Sequence, residues 1–279
     1  MPNPPLYAVF GHPVAHSRSP AIHRAFAAQF GRSIDYRAID AAPVDFATQL
    51  SAFRAQGGIG ANVTLPLKSL AYAAAARCSD AAVRSGVVNT LVPLGESDWQ
   101  GHNTDGAGLI ADLAERHRVD LRERDALLLG AGGAAQAVAY ALLDAGVRSL
   151  TIVNRDAQRA DGLADRIGMP DRVHVRYWSD LRSIGSFDLL MNATSAGVRG
   201  DALDLPFSIV ASRALCYDLS YGAAATGFLA WARAAGAAQC LDGLGMLVEQ
   251  AAEAYALWFG ERPDTTPVYA SLRAELDGA

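Results

Sequence analysis

Short apolar blocks alternate with longer stretches whose apolar positions recur every three or four residues. "LYAVFG" (6–11) reads as a buried strand, "SPAIHRAFAAQFG" (19–31) as a helix, "IDYRAI" (34–39) as a strand, "PVDFATQLSAFRAQGG" (43–58) as a helix and "GIGANVTL" (58–65) as a strand. Ser19 is placed to cap the first helix, with Pro20 in its first turn and Gly31 beyond its end. A second alternating run follows from residue 125: "DALLLG", a helix over 132–145, "SLTIVN", a helix over 156–167, then "VHVRYW", "FDLLMNAT" and "ALCYDL". These strands are almost continuous apolar runs, as required when helices cover both faces of a sheet. Strand and helix alternation at this spacing predicts two α/β units on mostly parallel sheets. "NTDGAGLIADLAERH" predicts a rigid helical connector opening at Thr104 or Asp105. "GLGMLVEQAAEAYALWFG" predicts a long amphipathic helix, and 267–276 a further one.

Composition narrows the chemistry. With 51% hydrophobic and 19% charged residues, the 279-residue chain reads as a soluble protein of two domains. A formal net charge of −5 supplies no basic field for nucleic acid or an anionic membrane, so the expected partner is a small molecule. No stretch reaches the length of a membrane span and no leader pattern opens the chain, which makes the cytoplasm the default location. Cys78, Cys216 and Cys240 are scattered and fit reduced core thiols better than a metal site.

Three patterns carry candidate chemistry. In "LLLGAGGAAQAVAYALL", Gly130, Gly132 and Ala135 form GxGxxA after a strand and at the mouth of a helix, where a tight turn lets backbone amides approach a pyrophosphate. At the tip of the next strand stand Asn154, Arg155 and Arg159 in place of the acidic residue that suits NAD, so the pattern favours the 2′-phosphate of NADP. Asp156 opposes this by pairing with Arg159 or repelling the phosphate. In "NVTLPLKSL", Lys68 is the only lysine of the chain. It is either a surviving surface lysine or an amine that can release its proton, which arginine cannot do. Ser17 and Ser19, whose loop offers hydroxyls and amides to a carboxylate, join Asn62, Thr64, Asn89 and Asp105 as polar groups at strand ends.

In order and approximate spacing, "GHPVAHSRSP", "GANVTLPLK", "GVVNTL", "GHNTDG", "GAGGAA", "NATSAG", "YDLSY" and "DGLGMLVEQAA" make the chain resemble the shikimate dehydrogenase family from end to end. The resemblance implies an α/β substrate domain (1–106) completed by C-terminal helices (243–279), a Rossmann domain (107–242), and reversible NADPH-dependent reduction of 3-dehydroshikimate to shikimate. It implies that Ser17, Ser19 and Tyr221 hold the substrate carboxylate. Thr64, Asn89, Asp105 and Gln250 then contact the ring and its hydroxyls, and Lys68 and Asp105 are catalytic; Asn62, at its strand tip, is counted with the substrate-binding residues. The implied cofactor contacts are Asp80, Gly130, Ala131, Gly132, Gly133, Ala134, Asn154, Arg155, Arg159, Thr194, Leu219 and Gly243. Action mainly on quinate, with NAD, and a dinucleotide-binding regulator without turnover are the alternatives. The assembly is expected to be a monomer or homodimer.

Overall fold

A computed structural model describes residues 3–278. The chain forms two compact units, one ending at Gly108 and resuming at Val248, the other running Leu109–Leu247. Both changes of unit fall inside helices, Asp105–Ile110 and Leu244–Phe259, so no loop marks a boundary.

The first unit holds β1 (Leu6–Gly11), β2 (Asp35–Asp40), β3 (Gly58–Val63), β4 (Arg77–Cys78), β5 (Thr90–Leu94) and β6 (Asp98–His102), in the order β2-β1-β3-β5-β6-β4. β1 is buried along its whole length because it lies between β2 and β3 and both its faces are covered. Its own Phe10 joins Phe46, Phe53, Leu67, Leu91 and Trp99 in one core. From Val248 onward the C-terminal helices belong to this unit: Tyr255 meets Phe26 edge-on at 6.0 Å between ring centroids, and Trp258 lies 4.8 Å from Tyr7.

The sheet is not uniformly parallel. β5 runs antiparallel to both β3 and β6, a hairpin that the apolar pattern leaves unread because "GESD" (95–98) carries no two-residue turn signature. Reversal of β5 brings its beginning to the edge where β1, β3 and β6 end. Asn89, immediately before β5, therefore reaches that edge from an N-terminal end rather than a C-terminal one.

The second unit contains β7 (Asp125–Leu129), β8 (Ser149–Asn154), β9 (Val173–Tyr177), β10 (Phe187–Asn192), β11 (Val210–Asp218) and β12 (Gln239–Asp242), all parallel, in the order β12-β11-β10-β7-β8-β9. This is the doubly wound order of dinucleotide-binding sheets. Its central strand explains its own sequence: Ala126 and Leu128 enter one core cluster, Leu127 and Leu129 the other. The three cysteines are free thiols, and burial pushes the Cys216 thiol up to about 12.

Two local expectations fail. The first helix is Ser19–Gln29, with Arg18 in the cap position and no side-chain cap; Ser19 is already helical, and its amide donates to Ser17 Oγ at 3.3 Å. The connector is not one regular helix either. After Ile110 it widens into a π segment, Ala111–Arg116, in which His117 N–H bonds Asp112 C=O at 3.1 Å. The buried Asp112 carboxylate accepts from Tyr217 Oη at 2.7 Å and pairs with Arg116 at 3.1 Å, which ties this turn into the second unit.

Candidate active site

The edge of the first sheet gathers the polar residues of four segments. After β1 the loop 12–18 carries Ser17, half-buried, and leads into the buried Ser19. After β3, Thr64 donates its amide to Phe10 C=O at 2.8 Å and stands half-buried beside the end of β1. Lys68 opens the helix Lys68–Ala74, and its carbonyl accepts from Val88 N–H at 3.0 Å, which fastens that helix to the approach to β5. After β6, Asp105 opens its helix with its own amide held by Asn103 Oδ1 at 3.0 Å.

These segments bring the lone lysine and the carboxylate together. Lys68 Nζ donates to Asp105 Oδ2, and the two side chains keep only 14% and 6% of their exposure. A solvated surface lysine is thereby excluded. Asp105 Oδ1 accepts from Asn89 Nδ2 at 2.8 Å, and the same amide group reaches Thr104 Oγ1 at 2.9 Å and Gln250 Oε1 at 3.3 Å. Thr104 N–H donates to Asn89 Oδ1 at 2.9 Å, which fixes the sense of that amide and leaves its nitrogen facing the carboxylate. Lysine, carboxylate, amide and hydroxyl thus converge at one sheet edge, a set suited to a small polyhydroxylated molecule that must exchange a proton.

Asn62 has a different place from the open contact that its position at a strand tip implies. It is buried, its Nδ2 donates to Asn89 C=O at 3.2 Å and Thr90 Oγ1 at 3.1 Å, and its Oδ1 accepts from Tyr36 Oη at 2.7 Å. The site also rests on residues that the sequence reading passed over. Thr90 Oγ1 donates to Asn89 Oδ1 at 3.0 Å, and the fully buried Tyr36 is stacked on His23 with 4.7 Å between centroids. Burial pushes the His23 imidazole down to about 3, so it is a neutral ring in the core. Their one sequence signal was a tyrosine and a histidine on otherwise apolar faces, which by itself is read as core.

In the second unit the glycine turn has the geometry that its pattern demands. Gly130 has φ +112°, and a Cβ there would stand 2.9 Å from Ala193 C=O. Around a Cβ placed on Gly132 there is nothing within 4 Å, so the turn leaves open space at the start of the helix Gly133–Asp144, where Ala131, Gly132, Gly133 and Ala134 present the backbone. That space, with no acidic residue in the helix's first turn, fits a pyrophosphate. At the tip of β8, Arg155 and Arg159 are exposed. Asp156 caps the helix Ala157–Ile167 through Arg159 N–H at 3.4 Å and also pairs with the Arg159 guanidinium at 3.4 Å. Asn154 Nδ2 bonds Asp156 C=O at 2.9 Å.

Thr194 and Leu219 follow β10 and β11, and Gly243 follows β12 with its amide on Ser220 C=O at 2.8 Å. Tyr221 lies in this unit too, whereas Asp80, itself exposed, opens the helix Asp80–Ser85 of the first unit. Among the described residues no cluster of His, Cys, Asp or Glu could hold a metal ion, and no helix is long and apolar enough to cross a membrane.

Comparison with known proteins decides the relationship. Residues 9–91 match the shikimate dehydrogenase substrate binding domain, 112–198 the shikimate / quinate 5-dehydrogenase family and 243–273 the shikimate 5′-dehydrogenase C-terminal domain. A shikimate dehydrogenase (NADP(+)) of Xanthomonas campestris pv. campestris is 58% identical over 270 residues, covering 96% of this chain and 95% of the relative. The chain belongs to the shikimate dehydrogenase family. Among solved members of similar structure is a shikimate 5-dehydrogenase from Thermus thermophilus in complex with NADP(H) and shikimate. It is 35% identical, with a TM-score of 0.81 over 96% of this chain and 98% of that one. An Ael1 enzyme from Pseudomonas putida is 41% identical, with a TM-score of 0.87 over 96% and 97%.

Proposed function

We propose that the protein catalyses the reversible NADPH-dependent reduction of 3-dehydroshikimate to shikimate, with Lys68 and Asp105 as the catalytic pair. The observation that carries this reading is the sequestered Lys68–Asp105 contact, braced by Asn89 at the sheet edge. When bound, NADPH supplies the hydride that the ketone carbon takes up. The ketone oxygen then gains negative charge and needs a positive neighbour with a proton to give. The Lys68 ammonium is that neighbour, and Asp105 holds it in place while its other oxygen stays on the Asn89 amide. Ser17 and Ser19 offer hydroxyls for the substrate carboxylate, while Thr64, Asn89, Asp105 and Gln250 would contact the ring and its hydroxyls, with the buried Thr104 holding the Asn89 amide in place. Asn62 acts from behind, as a support for Asn89 and Thr90. Gly130–Ala134, Arg155 and Arg159 would hold the pyrophosphate and 2′-phosphate.

Following absorbance of NADPH with shikimate, then quinate, and each with NAD, tests the substrate and cofactor. Faster quinate turnover would assign the protein to quinate, and binding without turnover would make it a regulator. Lys68→Arg keeps the charge but not the removable proton, and turnover should fall about 100-fold or more with NADP affinity retained. Near-normal turnover would leave Lys68 an electrostatic anchor and move proton transfer to Asp105.

A further inference from the structure

The turns that carry Thr194 and Leu219 are fastened by one buried carboxylate. In the parallel register of β10 and β11, Asn192 stands opposite Asp218, and both are almost wholly buried. Asn192 Oδ1 accepts from Thr194 N–H at 3.1 Å and from Thr194 Oγ1 at 2.8 Å, and its main-chain carbonyl accepts from Leu219 N–H at 2.9 Å. A backbone N–H can only donate, so Thr194 fixes the sense of the Asn192 amide and turns its Nδ2 toward Asp218. Asp218 Oδ2 accepts that group at 2.7 Å, and Asp218 Oδ1 accepts Ser220 N–H at 2.8 Å. The Asn192 and Ser220 amides thus converge on the two oxygens, with the Ser220 side chain bonded to the same carboxyl; a carboxylate accepts all of them strongly, whereas protonation makes one oxygen a donor and weakens its acceptance.

We propose that Asp218 is a positioning residue for the cofactor, its ionised carboxylate holding the Asn192 side chain and the Ser220 amide at once and so setting the turns of Thr194 and Leu219. The proposal rests on the assignment of those two turns to the cofactor site. No ion pair stabilises the carboxylate among the described residues. The charged groups near it are Asp242, opposite it on β12, and Asp201, which is paired with Arg199 at 2.9 Å and shares with Asp218 a cavity of about 310 Å³ lined also by Leu203, Phe228 and Trp231. Burial lifts the Asp218 carboxyl to about 6. The form that holds both turns is the deprotonated one, so cofactor affinity is full above that pH and falls as pH drops through it.

Calorimetry at pH 7.5 and 5.0 tests this, with circular dichroism confirming the fold at both. NADH is the probe because it lacks the 2′-phosphate, which itself titrates near pH 6. Wild-type affinity for NADH should fall about fivefold between the two pH values, as expected one unit below the carboxyl's midpoint when the neutral form binds about tenfold more weakly. Asp218→Asn should bind NADH and NADPH about tenfold more weakly at pH 7.5, lose most of the pH dependence and retain shikimate affinity. If that variant fails to fold, the wild-type pH series decides alone. Equal NADH affinity at both pH values, or an Asp218→Asn protein that binds like wild type, would overturn the proposal. A wild-type protein that binds neither nucleotide at pH 7.5 would instead overturn the cofactor assignment beneath it.

Discussion

Asp156 sits where the sequence left two readings, a partner of Arg159 or a repellent of phosphate. The structure shows the pair, and it shows both side chains more than half exposed, so the contact itself contributes little to stability. Its importance is competitive, because a 2′-phosphate must share or displace Asp156 to use the same guanidinium. Arg159→Ala is expected to raise KM for NADP by 10- to 100-fold, the range of a lost charge-assisted contact of about 1.5–3 kcal/mol, with NAD kinetics unchanged. Asp156→Thr retains a capping hydroxyl and frees Arg159, so NADP affinity should rise several-fold with thermal stability held. Parallel losses with both nucleotides in the Arg159 variant would make that residue a support of the fold.

At the scale of elements, close approach matters more than propensity. The helix Asp105–Ile110 can lie against Gln250 only because residue 108 has no side chain: a Cβ there would stand 2.6 Å from Gln250 N and 2.9 Å from its Cα. Main-chain atoms cannot yield as a flexible side chain can. Gly108→Ala should therefore cost about 1–3 kcal/mol, read as a lower urea midpoint, and should raise KM for shikimate by displacing Gln250 from Asn89 and Thr104. An unchanged midpoint would show that the two segments separate without loss. The β5–β6 hairpin has a similar influence, since the reversal of β5 is what delivers Asn89 to the edge shared by Thr64 and Asp105.

For the whole molecule, two units with separate cores predict separable responses to ligands. Amide hydrogen exchange should slow within 109–247 when NADP is added and within 3–108 and 248–278 when shikimate is added. At a hundredfold excess over Kd, either ligand should stabilise its unit by about 2.7 kcal/mol. Shikimate protection concentrated in 109–247 would contradict the placing of its carboxylate on Ser17 and Ser19.

Much of this architecture was legible in the chain, because strands buried on both faces must be apolar throughout and amphipathic helices must repeat every three to four residues. The glycine turn, the arginines beyond β8 and the lone lysine were legible too, since each depends on a property that few other residues supply: positive φ, a permanent fork of donors, a removable proton. Other features were decided only when the chain closed on itself. Tyr36, Thr90 and Asn192 look like ordinary strand residues until hydrogen bonds across the sheet give their polar atoms partners. Asp218 reads as a strand-end acid, and only burial opposite Asn192 raises its carboxyl to about 6. Local sequence fixes periodicity and backbone freedom, which act over a few residues; partnership and desolvation depend on distant segments, and those only the tertiary structure brings together.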